Sequence, residues 1–131
     1  MHRAEIDPEH NRLILRWVDS LGVTEVDRLQ AEIDTLLPRL RPGFDCISDI
    51  ANMRPTSQHV AERIEKLQAF LHESGMRRVV RIVGKGGGAR IASTQMDRTA
   101  EQAGYATIHV DTEAEALVAL SKKPTTASSS G

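Results

Sequence analysis

The sequence predicts a single α/β domain with a mixed, mostly parallel five-stranded sheet and about four helices. Short runs of branched apolar residues alternate with longer segments whose apolar residues recur at helical spacing, and glycine or proline separates most of these segments. The expected order is β-β-α-β-α-β-α-β-α. Strands that alternate with helices need crossover connections, so we expect the later strands to be parallel and the helices to pack on the sheet.

The first two strands are expected to form a hairpin, which makes the sheet mixed. Residues 3–6 form a short extended segment that ends at Asp7 and a polar turn through Asn11. Leu13–Val18 follows as a strand rich in branched and aromatic residues. Several residues separate the two segments, which predicts a loop rather than a tight two-residue turn.

The first helix is predicted to begin at Thr24, just after the chain break at Gly22. Asp27 lies three residues further on and resembles the acid of a capping box. Pro38 should end this helix or leave a ragged last turn, and the Pro-Gly pair at residues 42–43 is a firm stop. The residues expected to face the core are Val26, Leu29, Ile33, Leu36 and Leu37.

The middle of the chain predicts a buried strand at Phe44–Ile50 and a second helix at Ser57–Ser74, joined by a short loop that contains Pro55. Gly75 marks the end of the helix. A helix N-terminus exposes N–H groups and about half a positive charge, which favours hydroxyls, carboxylates and phosphates. This strand-to-helix turn is therefore the first candidate for a functional site.

The rest of the chain predicts two more strands and two more helices. In order, the segments are a strand at Arg78–Val83, a glycine loop at Gly84–Gly88, a helix near Ile91–Ala103 and a strand at Tyr105–Val110. Thr112 with Glu115 is a capping box that begins a final helix through Leu120. The Ser/Thr-rich tail, residues 122–131, is expected to be disordered, which leaves one domain at residues 1–121.

Composition excludes several classes of function. The 17 basic and 18 acidic residues nearly cancel, and aromatic residues make up only 3% of the chain. Neither value favours a nucleic-acid surface. No apolar run approaches the roughly 20 residues of a membrane span, and the first residues lack the apolar stretch of a signal peptide. A single cysteine excludes an internal disulfide, so a cytoplasmic location is expected.

The order of elements resembles the STAS domain family, the fold of bacterial anti-sigma-factor antagonists, over about residues 2–121. The local matches lie at residues 42–50, at Gly75–Val79 and at residues 103–105. In antagonists of that family, a strand ends in an acidic-aliphatic pair and an Asp-Ser-Ser/Thr-Gly type turn begins the next helix. A hydroxyl there is phosphorylated by the partner anti-sigma kinase, which switches binding off. Asp49-Ile50 matches the pair here, whereas residues 54–58 read Arg-Pro-Thr-Ser-Gln in place of the turn motif.

Thr56 and Ser57 are the hydroxyls that this turn retains. As N-cap residues, each would stabilise the helix by about 1 kcal/mol. The resemblance implies a second role, as a phosphoacceptor or partner contact. Asp49 has comparable alternatives, because it could ligate an ion, orient the loop or accept a backbone N–H in an Asx turn.

The glycine loop also leaves two interpretations open. Gly84–Ala89 fits a G-x-G-x-x-A dinucleotide fingerprint, but it follows the fourth strand rather than the first. It is either a mobile loop or an anion site at the start of the following helix. The residues that would form such an anion site are Lys85, Gly86, Gly87, Gly88 and Arg90.

Other reactive or charged residues have ordinary interpretations. Five positive charges fall within fourteen residues and are expected to form a solvated edge paired with nearby acids. They are Arg77, Arg78, Arg81, Lys85 and Arg90. Cys46 lies mid-strand, where a buried inert thiol is expected, and Trp17 is expected to pack in the core or at a strand edge. No histidine has metal-ligand spacing to another histidine or to the cysteine, so we expect no metal site and no cofactor.

These observations favour a non-enzymatic regulatory or protein-interaction domain. Its partner would be an anti-sigma-factor-like kinase or another regulator, bound through the turn at residues 50–60 and its helix. The alternative is a sensor for an anion, a nucleotide or a lipid-like molecule, bound between the strand ends and the Gly84–Gly88 loop. An enzyme ranks last because no catalytic set is visible. A homodimer is also expected, since helix-rich faces of small sheets often self-associate.

Overall fold

One five-stranded sheet in the order β1-β2-β3-β4-β5 forms the centre of the molecule. The computed structural model describes residues 3–19, 22–53, 57–84 and 106–122. The strands are β1 (Arg3–Asp7), β2 (Arg12–Asp19), β3 (Asp45–Met53), β4 (Arg78–Ile82) and β5 (Ala106–Val110). The helices in these ranges are α1 (Val23–Leu36), α2 (Gln58–Glu73) and α3 (Glu113–Ser121), with a 3-10 turn at Leu37–Arg39.

The pairing of the strands confirms the predicted mixed, mostly parallel sheet. β1 and β2 are antiparallel, whereas β2, β3, β4 and β5 run parallel to one another. Their carboxyl ends therefore lie at one edge of the sheet, called here the carboxyl edge, and their amino ends at the opposite amino edge. The predicted helix at residues 91–103 lies outside the described residues, as does the tail from residue 123 onward.

Apolar side chains cover both faces of the sheet, because successive side chains of a strand point to opposite sides. The larger core lies under α1 and α2, and the smaller core lies under α3. The buried members of the larger core include Leu13, Leu15, Trp17, Val26, Leu29, Ile33, Phe44, Ile50, Val60, Ile64, Leu67, Leu71 and Val79. Those of the smaller core are Ile47, Val80, Ile82, Ala116 and Leu120. Trp17 is buried in the larger core, as expected for a packing residue.

The start of α1 differs from the prediction. The helix begins at Val23 with Gly22 as its N-cap, rather than at Thr24. Glu25 Oε1 accepts a hydrogen bond from the Gly22 N–H at 2.7 Å, so the acid that caps this helix is Glu25. Asp27, the acid proposed for this role, instead forms an ion pair with Arg63 of α2 at 3.0 Å. A glycine gives no side-chain signal of a cap, which explains the error.

The central strand is longer than predicted. β3 continues to Met53 because its pairing with β2 extends beyond Ile50, through Val18↔Asn52 and Asp19↔Met53. Asp49 therefore lies inside β3 and not at its end. Between the Arg16↔Asp49 and Val18↔Asn52 pairs, β3 carries one more residue than β2, which is a β-bulge.

At the amino edge, charged side chains form a group of hydrogen bonds with one another. Asp45 accepts from Arg78 at 2.8 and 3.1 Å and from Arg77 at 3.0 and 3.3 Å. Arg78 also donates to the carbonyls of Leu120 and Lys122, at 3.0 and 3.1 Å. One buried guanidinium thus joins the central strand to the end of α3.

This arrangement corrects the expectation of a solvated edge for Arg78 and Arg81, whereas Arg77 is exposed as expected. Lys85 and Arg90 lie outside the described residues. The predicted pairing with an acid is confirmed for Arg77 and Arg78, but Arg78 is buried and Arg81 has no exposed surface at all. The alternation of β4 points Arg81 into the larger core. Its Nη2 atom donates to Gln68 Oε1 of α2 at 2.7 Å.

Helices in the described ranges are too short or too polar to cross a bilayer.

Candidate functional site

Ser57 lies at the carboxyl edge of the sheet and is the N-cap of α2. Its backbone is extended, with φ −65° and ψ 159°, and its Oγ atom accepts a hydrogen bond from the Val60 N–H at 3.2 Å. The side chain is exposed, whereas Val60 is buried. The capping role predicted for Ser57 is therefore confirmed. The hydroxyl is also open to solvent. The helix that carries it is anchored in the core by Val60, in its first turn.

The other predicted hydroxyl, Thr56, lies outside the described residues, as do residues 54 and 55. The described part of this turn is therefore the end of β3 and the first residues of α2. Ile50, three residues before the end of β3, is fully buried. β3 is thus fixed in the core near its end, and α2 begins at an exposed cap.

Asp49 stabilises the bulge in β3. Its Oδ1 atom accepts a hydrogen bond from the Ala51 N–H at 3.1 Å, which is the i to i+2 bond of an Asx turn. A bulge removes a backbone N–H from regular pairing, so a carboxylate two residues earlier can satisfy it. The Asx role considered for Asp49 is confirmed, but within the strand rather than at its end.

Sequence reasoning missed two residues next to Asp49. Arg16 of β2 lies between two carboxylates, with Nη1 3.6 Å from Asp49 Oδ2 and Nη2 3.2 Å from Glu113 Oε1. Arg16 lies opposite Asp49 because β2 and β3 pair in that register. The register of parallel strands follows from packing across the whole sheet, and no local sequence signal reveals it.

Gly84 is the only described residue of the predicted glycine loop. It has φ +64°, the left-handed region that favours glycine. A Cβ atom at this position would lie 3.0 Å from Ala51 Cβ, so the beginning of the loop passes close to the bulge in β3. The five anion-site candidates lie outside the described residues and remain predictions. They are Lys85, Gly86, Gly87, Gly88 and Arg90.

Polar groups are buried between the sheet and α2. Trp17 Nε1 donates to Ser48 Oγ at 2.9 Å, and Ser48 lies beside Arg81 in the paired strands. A cavity with about 10 Å³ of space for the centre of a water molecule lies next to Ser48 and Gln68. The cavity can hold about one water molecule, so it is too small for a nucleotide or a lipid.

Cys46 is buried in the larger core, as predicted. Burial raises the pKa of its thiol to about 12, even though the nearby Arg81 acts in the opposite direction. At neutral pH the sulfur is therefore a thiol and not the nucleophilic thiolate.

A group that sequence reasoning overlooked lies on the β1–β2 turn. Ligand atoms of Asp7, Glu9 and His10 come within 4.8 Å of one another. A hydrogen bond between His10 Nδ1 and Asp7 Oδ2 at 2.8 Å explains much of this closeness. The same bond lowers the pKa of the Asp7 carboxyl. Spacings among histidines and the cysteine do not reveal this group, because two of its three members are carboxylates.

Structure comparison finds chains of the same architecture. An uncharacterised protein of the DUF3478 family with a SpoIIAA-like fold, from Shewanella loihica PV-4, is similar with a TM-score of 0.69 and 18% identity over 92% of both chains. The unphosphorylated form of the anti-sigma factor antagonist SpoIIAA is similar with a TM-score of 0.54 and 16% identity. That match covers 92% of this chain and 98% of the other.

No protein-family model and no curated protein matches the sequence. At these identities, the structural matches establish the fold and leave the function open. They confirm the fold that the resemblance to STAS domains implied. The chain has the SpoIIAA-like, or STAS, fold.

Proposed function

We propose that this chain is a non-enzymatic regulatory domain that binds a protein partner through the turn at residues 50–60 and the start of α2. The observation that carries the proposal is the position of Ser57, an exposed hydroxyl at the beginning of a helix whose first turn buries Val60 and Ala61. An exposed group on a rigid base offers a partner a surface that needs little ordering on binding.

The charge distribution supports this choice of helix. The first turns of α1 and α3 carry acidic residues, Glu25 in α1 and Glu113 with Glu115 in α3. The first turn of α2 carries none. Its partial positive charge is therefore not offset by an acid of its own first turn, which favours a carboxylate or phosphate at this end.

The similarity to SpoIIAA is consistent with a regulatory role. SpoIIAA is an anti-sigma factor antagonist with an unphosphorylated form. This chain keeps hydroxyls at Thr56 and Ser57 but lacks the Asp-Ser-Ser-Gly type turn. We therefore propose partner binding at this turn, with phosphorylation of Thr56 or Ser57 as the regulatory step. A phosphate would add close to two negative charges at the helix N-terminus, where the fold tolerates them, so its main effect would be on the docked partner.

Charge substitution at Ser57 tests the proposal. Tagged wild-type protein and the Ser57→Asp variant are used to capture partners from a lysate of the native host, and the captured proteins are quantified by mass spectrometry. Aspartate caps a helix as well as serine does, so the variant should fold normally. We expect at least one protein captured by the wild type to fall about tenfold, the result of losing about 1.4 kcal/mol of binding free energy.

Thr24→Asp is the matched control. It adds the same charge to the first turn of α1, on an exposed residue of a neighbouring helix. This variant should capture the partner as the wild type does. Equal losses with both variants, or no loss with Ser57→Asp, would contradict binding through the start of α2.

The regulatory step has its own measurement. Intact-mass analysis of the protein purified from its native host, in several growth states, should show a population that carries a phosphate. Replacement of both Thr56 and Ser57 by alanine should remove that population. Protein without the adduct in every state would reject phosphorylation while leaving partner binding to be judged by the capture experiment.

The ligand-sensor alternative has one observation in its favour, the left-handed Gly84 next to the bulge at the carboxyl edge. A ligand at 100 times its dissociation constant would stabilise the fold by about 2.7 kcal/mol. Thermal unfolding with nucleotides, organic anions and short-chain lipids measures this directly. A clear rise in melting temperature with one of these would favour the sensor over the partner-binding domain.

A further inference from the structure

α3 exposes apolar side chains on the face that points away from the sheet. Within the described residues, the exposed large hydrophobic side chains are Leu117 and Val118, which are 46% and 58% exposed. The opposite side of the helix is also apolar, with Ala116 and Leu120 buried against the sheet. A helix with an exposed apolar face opposite a buried apolar face is typical of one that is covered on more than one side.

A groove runs between α3 and β5 and has a volume of about 330 Å³. It is lined by Val110, Ala114, Glu115, Val118, Ala119 and Lys122. Three of these residues and the C-cap Lys122 follow the spacing i, i+3, i+4, i+7, which places them in one row along the helix and its end. This row, the α3 stripe, consists of Glu115, Val118, Ala119 and Lys122.

The charges of the α3 stripe are complementary to those of a second copy of the same stripe in the antiparallel orientation. The acid lies at one end, the base lies at the other, and two small apolar residues lie between them. If two copies meet antiparallel about a twofold axis, Glu115 faces the partner's Lys122 at one end. By symmetry, the partner's Glu115 faces Lys122 at the other end. Val118 then meets the partner's Ala119 on each side of the axis, and small side chains there let two helices approach closely.

The geometry points to a homodimer in which the α3 stripes of two chains pack antiparallel. A parallel pairing about a twofold axis along the helices would place glutamate against glutamate and lysine against lysine. The arrangement of charge therefore selects the antiparallel orientation as well as the partner.

Both ends of α3 are already fixed before any partner binds. Arg78 donates to the carbonyls of Leu120 and Lys122 at the end of the helix. Arg16 forms an ion pair with Glu113 at its beginning. Thr112 caps the first turn by accepting from the Glu115 N–H at 3.2 Å. The stripe is thus presented by a rigid element, which reduces the entropy lost on association.

The small size of the α3 stripe limits the strength of the dimer. α3 has 9 residues, so the stripe spans only two turns of helix and the neighbouring edge of β5. A standard stable interface buries about 800 Å² on each partner. We therefore expect a weak, reversible dimer rather than an obligate one.

Sedimentation velocity over about 1 µM to 1 mM protein tests the proposal, because weak interfaces associate in this range. The weight-average mass of the wild type should rise from the monomer value of 14.4 kDa towards twice that value. Val118→Asp places like charges near the axis and should weaken association at least tenfold. Leu117→Asp is the matched control, since Leu117 is a comparably exposed residue of the same helix that does not line the groove.

Charge reversal gives a second, independent readout. Glu115→Lys alone and Lys122→Glu alone each bring like charges together and should each weaken the dimer about tenfold. The double variant restores both ion pairs and should recover association to within about threefold of the wild type. Each reversal is unfavourable for α3 itself, because it opposes the helix dipole. Recovery in the double variant therefore cannot come from a more stable helix.

Three results would overturn the proposal. They are a wild-type mass that stays at the monomer value up to about 1 mM, equal effects of Val118→Asp and Leu117→Asp, and a double reversal that associates no better than the single ones. Circular dichroism of every variant checks that the fold is retained. Because the α3 stripe does not include the turn at residues 50–60, Val118→Asp should leave partner capture in the Ser57 experiment unchanged.

Discussion

An arginine–aspartate pair lies towards each edge of the sheet, the amino edge and the carboxyl edge, but the two pairs have different roles. At the amino edge, Asp45 and Arg78 are both buried, and their side chains form two parallel hydrogen bonds. Towards the carboxyl edge, level with the last residue of β4, the Arg16–Asp49 pair is longer, at 3.6 Å, and Arg16 is 37% exposed. The first arrangement depends on the folded core, whereas the second remains partly in water.

The difference shows where the molecule can change without unfolding. Removal of one partner from a buried pair leaves an uncompensated charge, which costs about 3–5 kcal/mol. An exposed pair is screened by solvent and contributes about 0–1 kcal/mol. The amino edge therefore holds the strands together, and the carboxyl edge can carry exposed groups such as Ser57 that are available for recognition.

The largest effect should come from Asp45→Asn. The amide cannot balance the two guanidinium groups that Asp45 holds, so Arg78 stays buried without its counter-charge. We expect the free energy of unfolding to fall by about 3–5 kcal/mol, measured by urea denaturation. Asp27→Asn, which breaks the exposed pair with Arg63, is the control and should cost less than about 1 kcal/mol. Equal costs would remove the distinction between buried and exposed pairs.

Acid unfolding sharpens the same contrast. Burial alone would raise the pKa of Asp45, but hydrogen bonds from Arg78 and Arg77 outweigh it and lower the pKa below its ordinary 3.8. A carboxyl whose folded pKa is lowered stabilises the fold above its unfolded pKa. That contribution is lost as the pH falls from 3.8 through the folded value. The wild type should therefore lose stability in this acid range more steeply than Asp45→Asn, in urea titrations at fixed pH. Parallel curves for the two proteins would contradict this role of Asp45.

Gly84→Ala tests how tightly the carboxyl edge is packed. The left-handed backbone costs a side chain about 1–2 kcal/mol, and the new Cβ would lie 3.0 Å from that of Ala51. We expect Gly84→Ala to lower the free energy of unfolding by about 2 kcal/mol. Adding Ala51→Gly to the same chain removes the close Cβ contact and should restore the part of the loss that this contact causes. Failure of Ala51→Gly to restore any stability would assign the whole cost to the backbone.

The smallest effect should follow Ser57→Ala. Loss of the cap leaves the Val60 N–H without its side-chain acceptor and should cost about 1 kcal/mol, measured by thermal or urea unfolding. Ser57→Asp retains an acceptor and should cost close to nothing. A loss as large as that of Asp45→Asn would show that the carboxyl edge, too, is essential to the fold.

Local signals in the sequence predicted most of the architecture. The caps at Ser57 and Thr112, the glycine stop at Gly75 and the ragged helix end at Pro38 were all predicted from short-range patterns, and the structure confirms them. These features depend on the chemistry of a few consecutive residues. They define the elements that carry the candidate site.

Features that depend on pairing between distant segments were not predictable. The bulge in β3 and the contact of Arg16 with Asp49 follow from the register of two strands about 30 residues apart. The burial of Arg78 and Arg81 was also missed, because the charges of β4 suggested a solvated edge. Their acceptors, Asp45, Gln68 and the end of α3, lie in other elements.

The bond from Arg78 to the Leu120 carbonyl joins residues 42 positions apart along the chain. During synthesis, this guanidinium cannot complete its hydrogen bonds until the carbonyls of residues 120 and 122 have been made. Closure of the amino edge of the sheet therefore waits until the chain has been made through residue 122. Truncation within α3 should yield a product that is prone to proteolysis.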